Sequence, residues 1–86
     1  MSTVIDSASP PGLTDHGYTI GERADQWLDD HPGFHAPSRI ARAVGFTTHE
    51  TRAAMEWMAD RSLAATAGNG AWRRYGSWRH HRPAQL

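Results

Sequence analysis

The stretch from Gly45 to Glu50, Gly-Phe-Thr-Thr-His-Glu, constrains the fold more than any other part of the sequence. A glycine just past a helix end adopts the left-handed backbone conformation at little cost, so Gly45 is expected to end a helix. Thr47 and Glu50 have the spacing of a capping box, in which each side chain bonds the backbone N–H of the other residue. The pattern predicts two helices joined by a tight turn.

The flanking apolar residues define both helices. The first is predicted to open at Pro37-Ser38, with Ile40, Ala41 and Val44 facing inward. The helix after the turn is predicted to run from Thr48 to about Arg61. Its expected core face consists of Thr51, Ala54, Met55 and Met58.

An earlier helix is predicted from a second capping box, with Thr19 as the N-cap and Glu22 reaching back to it. Its inward residues at helical spacing are Ile20, Ala24, Trp27 and Leu28. The sequence His31-Pro32-Gly33 should end this helix. Phe34-His35-Ala36 is then expected to be a short extended piece.

A β-hairpin is predicted after Ser62. The runs 63–66 and 71–75 flank Gly68-Asn69-Gly70, and two short runs around a Gly/Asn turn are typical of a hairpin. Trp72 and Tyr75 would lie on opposite faces of the second strand, and a core position is expected for each. The fold class is therefore mostly α with a small β-hairpin.

Length and composition limit the chain to one small module. Its 86 residues with 38% apolar residues can close one core, and the absence of cysteine excludes disulfides, thiolate metal sites and cysteine nucleophiles. We expect a flexible leader over 1–17, the domain over 18–78 and a basic flexible tail over 79–86. No apolar run approaches a membrane span and no signal peptide is evident, so a cytoplasmic protein is expected.

The net charge is zero, but the charges are unevenly distributed. Residues 1–35 carry six carboxylates and one arginine, whereas residues 36–86 carry eight arginines and three carboxylates. A domain polarised in this way can bind a polyanion through its basic end. All nine basic residues are Arg, which suits bidentate contacts to phosphate or guanine, although the coding bias of a GC-rich bacterium or phage explains the lack of Lys as simply.

Residues 20–75 resemble a winged helix-turn-helix domain, a three-helix DNA-binding module with a β-hairpin wing. The resemblance rests on the order of the elements and on the spacing of Ile40, Ala41, Val44, Gly45, Phe46 and Ala54. Thr51 departs from it, because that position usually holds Val or Ile. The resemblance implies sequence-specific binding of double-stranded DNA, with the third helix in the major groove and the wing on the backbone or minor groove.

The expected DNA contacts fall on three elements. The third helix would use Arg52 on a guanine, Ala53 where the backbone comes close, His49 on a base or phosphate, and Thr47 and Thr48 on phosphate. The second helix would contact the backbone through Ser38, Arg39 and Arg42. The wing would contribute Asn69, Arg73 and Arg74, since at least one of two successive strand arginines must point outward.

Simpler roles remain open for these residues. Thr47 can serve only as a cap, Arg52 only as an i,i+4 partner of Glu56, and the wing arginines and His49 can be solvated. The alternative function is a protein-binding winged helix, or a homodimer, that uses Trp57 or Trp78. The sequence lacks the motifs of hydrolases, metalloproteases and nucleotide-binding enzymes, so we expect neither an enzyme nor a cofactor. A zinc site on His80 and His81 is disfavoured because a flexible tail lacks fixed geometry.

Overall fold

The computed structural model describes residues 4–6 and 12–81, and its first helix, α1, spans Asp15–Asp30. The N-cap is Thr14, whose hydroxyl accepts from the Gly17 N–H at 3.0 Å. The predicted capping box of Thr19 and Glu22 is therefore wrong; the Thr19 hydroxyl instead donates to the Asp15 carbonyl within the helix. The helical period extends back through buried Gly17 and Gly21, which carry no apolar side chain to reveal it.

A small hairpin that we did not predict precedes α1. Strand β1 (Ile5–Asp6) pairs antiparallel with β2 (Gly12–Leu13), and the Val4 side chain is buried. The Val4 carbonyl accepts from the Thr14 N–H at 2.9 Å and lies so close to Gly17 that a Cβ there would be 2.3 Å away. A flexible leader was expected over 1–17. Within this range, residues 4–6 and 12–14 pack on the helices and residues 15–17 open α1, whereas residues 1–3 and 7–11 lie outside the described residues.

The predicted pair of helices around Gly45 is confirmed. Helix α2 spans Pro37–Val44, and Gly45 follows it in the left-handed conformation with φ of 85°. Helix α3 spans Thr48–Asp60 and begins with the full capping box. The Glu50 N–H donates to Thr47 Oγ1 at 3.1 Å, and the Thr47 N–H donates to Glu50 Oε1 at 3.3 Å.

The second hairpin consists of β3 (Ala64–Ala67) and β4 (Arg74–Ser77), with Ala64 opposite Ser77. The hairpin was predicted, but its second strand begins later than expected because Gly70–Trp72 forms a 3₁₀ turn. Gly68 and Gly70 have positive φ values of 77° and 57°, so the chain curls at the tip instead of extending.

The predicted extended piece also exists. His35 forms an isolated antiparallel bridge with Tyr75, with backbone N–H to carbonyl distances of 2.8 and 2.9 Å in the two directions. This bridge joins the segment between α1 and α2 to strand β4.

The core lies where the three long helices meet the second hairpin. One cluster of buried side chains contains Ala24, Leu28, Ile40, Met55, Met58, Ala64 and Tyr75. A second cluster, of Val4, Ile20 and Ala54, lies under the first hairpin with Phe46 packed against it. The predicted core face of α3 is confirmed, because Thr51, Ala54, Met55 and Met58 are all buried.

A short helix, α4 (Trp78–His81), follows β4 and crosses the domain boundary expected at residue 79. Arg79 Nη1 lies 3.0 and 3.1 Å from the two carboxylate oxygens of Asp25, and His80 Nε2 lies 2.8 Å from the Asp29 carbonyl oxygen. Both residues therefore contact α1. None of the helices in the described ranges is long and apolar enough to cross a membrane.

Candidate nucleic-acid interface

The outer side of α3 is narrower than the sequence indicated. Thr48, His49 and Arg52 are exposed, and Thr47 is exposed at the N-cap. Ala53 is only partly exposed, because it packs against the second core cluster and shares a shallow cleft with Ile5 and Trp57. Strand β1 thus borders one side of the expected strip, which the sequence could not reveal.

The carboxylate at the start of α3 is occupied by intramolecular contacts. Glu50 Oε2 lies 2.6 Å from His16 Nε2 on α1, and Glu50 Oε1 accepts from the Thr47 hydroxyl at 2.9 Å. The hydrogen bond from His16, followed by those from Thr47, holds the pKa of Glu50 below its ordinary value. His16 is 34 positions from Glu50, so no local pattern indicated this pair.

The second carboxylate of α3 bonds the β3–β4 hairpin. Glu56 Oε2 accepts from Arg73 Nε at 2.5 Å and from the Tyr75 hydroxyl. The bond to Glu56 raises the pKa of Arg73, and burial followed by the bond to Glu56 raises the pKa of Tyr75 to about 12. Glu56 is therefore bonded to the β3–β4 hairpin and does not pair with Arg52.

The two arginines expected on one strand do not both lie in it, although one of them is exposed as expected. Arg73 precedes β4 and is half-buried against Glu56, while Arg74 opens β4 and is exposed. They do not alternate as two residues of one strand, because the 3₁₀ turn delays the start of β4. Asn69 lies exposed in the loop before this turn.

Three arginines of the described residues make no side-chain ionic, hydrogen-bonding or aromatic contact. The side chains of Arg42, Arg52 and Arg74 are exposed, and none forms an ion pair or hydrogen bond with another residue in the described ranges. On α2, Ser38 is exposed near the helix start, and the exposed Arg39 has its guanidinium carbon 5.9 Å from the Trp27 ring centroid. The guanidinium groups of the three arginines are thus free to bind an anion.

Four aromatic residues of the second half of the chain lie in three different environments. Tyr75 is fully buried, as expected, but the core position expected for Trp72 is wrong, since this residue is 76% exposed at the wing tip. Trp57 and Trp78 instead line one open cleft of about 340 Å³ between α1, α3 and α4, with Met58 and Leu63. Glu22, Asp25 and Arg79 form the polar part of the lining.

Among residues 4–6 and 12–81, no three His, Asp or Glu side chains lie close enough together to hold a metal ion.

No family model, no curated protein and no solved structure matches the chain.

Proposed function

We propose that the chain is a winged helix-turn-helix protein that binds double-stranded DNA in a sequence-specific manner, as a small repressor-like or excisionase-like regulator. The order of elements supports this assignment: α1, the bridging residue His35, α2, α3 and then the β3–β4 hairpin. The turn between α2 and α3 is three residues, Gly45 to Thr47, which is the length found in helix-turn-helix motifs.

The observation that carries the proposal is the division of charge on α2, α3 and the wing. Arg42, Arg52 and Arg74 are exposed and unpaired within the described ranges, whereas Glu50 and Glu56 are both engaged in intramolecular bonds. The charge of Glu56 is therefore offset by Arg73, and the carboxylate of Glu50 is occupied by hydrogen bonds with His16 and Thr47. The arginines remain available to phosphate and base edges, which supply affinity and specificity respectively.

In the proposed complex the N-terminal half of α3 enters the major groove. His49 and Arg52 lie in this half, and Arg52 can donate two hydrogen bonds to guanine O6 and N7. Asp60 is exposed at the other end of α3, and its charge favours tilting that end away from the phosphates. The backbone N–H groups of Thr48 and His49, which the capping box leaves unused, suit a phosphate oxygen.

The remaining contacts would fix the register on the duplex. Ser38, Arg39 and Arg42 lie on α2, which crosses the backbone in helix-turn-helix complexes. Arg74 lies on the wing. The ion pair between Arg73 and Glu56 attaches the wing to α3. Binding through these residues would depend on ionic strength but little on sequence.

A random-sequence duplex pool titrated at two salt concentrations, with the retained DNA sequenced, tests the proposal. We expect an enriched motif and an affinity that falls steeply as salt rises. On the enriched duplex, Arg52→Ala should weaken binding by about 1–3 kcal/mol and relax the preference at one position. The control Arg79→Ala removes the same charge beside α1 and should bind normally. If Arg52→Ala binds like the control, Arg52 makes no base contact.

A protein partner is the second candidate, and the cleft lined by Trp57 and Trp78 favours it. Tyr18 and Leu63 add exposed apolar surface to this cleft, and Glu22 supplies a negative charge, so a basic segment with an apolar anchor would fit. Because the apolar anchor would supply most of the affinity, such binding would depend on salt much less than DNA binding does. If no duplex is retained even at low salt, DNA binding is refuted and this candidate replaces it.

A further inference from the structure

The indole of Trp72 on the wing is exposed and packs against little of the described protein. Trp72 is 76% exposed, well above the other exposed large apolar side chains, Tyr18 at 55% and Leu63 at 44%. Tryptophan is enriched among residues that dominate binding energy, because it buries a large rigid surface with few rotatable bonds. An indole held in water is therefore a candidate for contact with a partner.

The loop that carries Trp72 is closed on itself. The Trp72 N–H donates to the Asn69 carbonyl at 3.1 Å, and the Arg73 N–H donates to the Gly70 carbonyl at 3.2 Å. A Cβ on Gly68 would lie 2.5 Å from the Trp72 carbonyl oxygen, so the two sides of the loop touch. This packing fixes the backbone beneath the indole and lowers the entropy lost on binding.

The root of the same loop is fixed to α3. Arg73 follows Trp72 directly, and Arg73 and Tyr75 both bond Glu56, which lies one helical turn after Arg52. The residue that carries the indole is thus the direct neighbour of Arg73, which is bonded to Glu56 on α3. A ligand bound along α3 would extend naturally towards it.

The charge around Trp72 favours a polyanion. Between Arg61 and Arg79 the sequence contains no carboxylate, and Arg74 is exposed two positions after Trp72. The Glu56 carboxylate at the root of the loop is paired with Arg73. A protein surface or a nucleic acid could cover an indole, but this local charge and the attachment to α3 favour the nucleic acid. Every base offers a flat π-face on which an indole can stack.

We propose that Trp72 stacks on a base, entering the duplex at a step that unstacks easily, so that the preferred substrate is DNA with a deformable pyrimidine–purine step beneath the wing. The inference rests on the proposed DNA binding and adds a shape preference to it. Inserted apolar side chains partly unstack a base step and kink the duplex, and the energy required is lowest at flexible or damaged steps. The stacked indole would compensate for that energy.

The test uses the duplex enriched by selection, with 2-aminopurine placed at successive positions beneath the wing. The fluorescence of this base reports its stacking. We expect the wild-type protein to change the fluorescence at one step, and Trp72→Ala to lose that change with roughly ten- to hundredfold weaker binding. Trp72→Phe should keep part of both effects. The control Tyr18→Ala, which removes an exposed aromatic ring from α1, should alter neither.

The outcomes separate this inference from the proposed function. If Trp72→Ala binds as tightly as the wild type with the same fluorescence change, the stacking proposal is refuted. DNA binding still stands in that case, provided that Arg52→Ala binds the enriched duplex more weakly than the wild type. Weaker binding of Trp72→Ala with no fluorescence change at any step in the wild type also refutes stacking. If the wild type retains no duplex, both proposals fail together.

Discussion

Thr51→Val should stabilise the protein, because the hydroxyl of Thr51 is buried without a partner. Thr51 is fully buried on the core face of α3, and its Oγ1 has no hydrogen-bond partner among the described residues. A buried hydroxyl in this state costs about 1–3 kcal/mol of desolvation. Valine has nearly the same shape and replaces the hydroxyl with a methyl group, whose burial contributes about 0.8 kcal/mol.

The free energy of unfolding should therefore rise by about 2 kcal/mol, which for a chain of this size corresponds to a rise in Tm of roughly 8–15 °C. Urea denaturation followed by circular dichroism measures the first quantity, and a thermal scan measures the second. Thr51→Ser keeps the hydroxyl and loses the methyl, so it should lower stability by about 1 kcal/mol.

Thr66→Val is the matched control. Thr66 is exposed on β3, so the same chemical change should alter stability by no more than about 0.5 kcal/mol. If Thr51→Val leaves the unfolding free energy unchanged or lowers it, the hydroxyl is hydrogen-bonded in solution and the reasoning is refuted.

Two further changes test the turn and the wing. Gly45→Ala should lower the unfolding free energy by about 1 kcal/mol in the same urea assay, because φ of 85° strains alanine although open space surrounds the new Cβ; an unchanged midpoint would mean that the turn relaxes to negative φ. Tyr75 has a pKa raised to about 12 in the fold, so its contribution to stability is complete below about pH 10, where the unfolded tyrosine titrates, and is lost as pH rises towards 12. The unfolding free energy measured between pH 9 and 12 should therefore fall more steeply for the wild type than for Tyr75→Phe, and parallel curves would contradict the assignment.

Local signals predicted α2, the turn at Gly45 and α3 correctly because both partners of each interaction are close in sequence. The bonds between Thr47 and Glu50 span three residues, and the conformation of Gly45 depends on its own backbone. The exposed positions of Arg42 and Arg52 followed from the same helical period. In each case a pattern of residues within one helical turn was enough to predict the local structure.

The errors arose where the structure depends on distant contacts or on residues without side chains. The start of α1 was missed because Gly17, the buried residue of its first turn, has no apolar side chain to extend the helical pattern. The strands of the first hairpin are only two residues long, too short for an alternating pattern. At the candidate site, the contacts of Glu50 with His16 and of Glu56 with Arg73 cross 34 and 17 positions, beyond any local spacing rule.

The close crossing of Val4 over Gly17 has a consequence for how the protein opens. The first hairpin is anchored at this crossing, and its two-residue strands pair with each other and with no strand of the second sheet. We therefore expect this segment to detach at a lower free energy than the three-helix body, as a cooperative unit of its own. Amide hydrogens in the first turns of α1 should then exchange with solvent faster than those around Leu28, and limited proteolysis should cut before Asp15 first. Detachment would also uncover Ile20 and Ala54, so a partly open form would expose apolar surface next to α3.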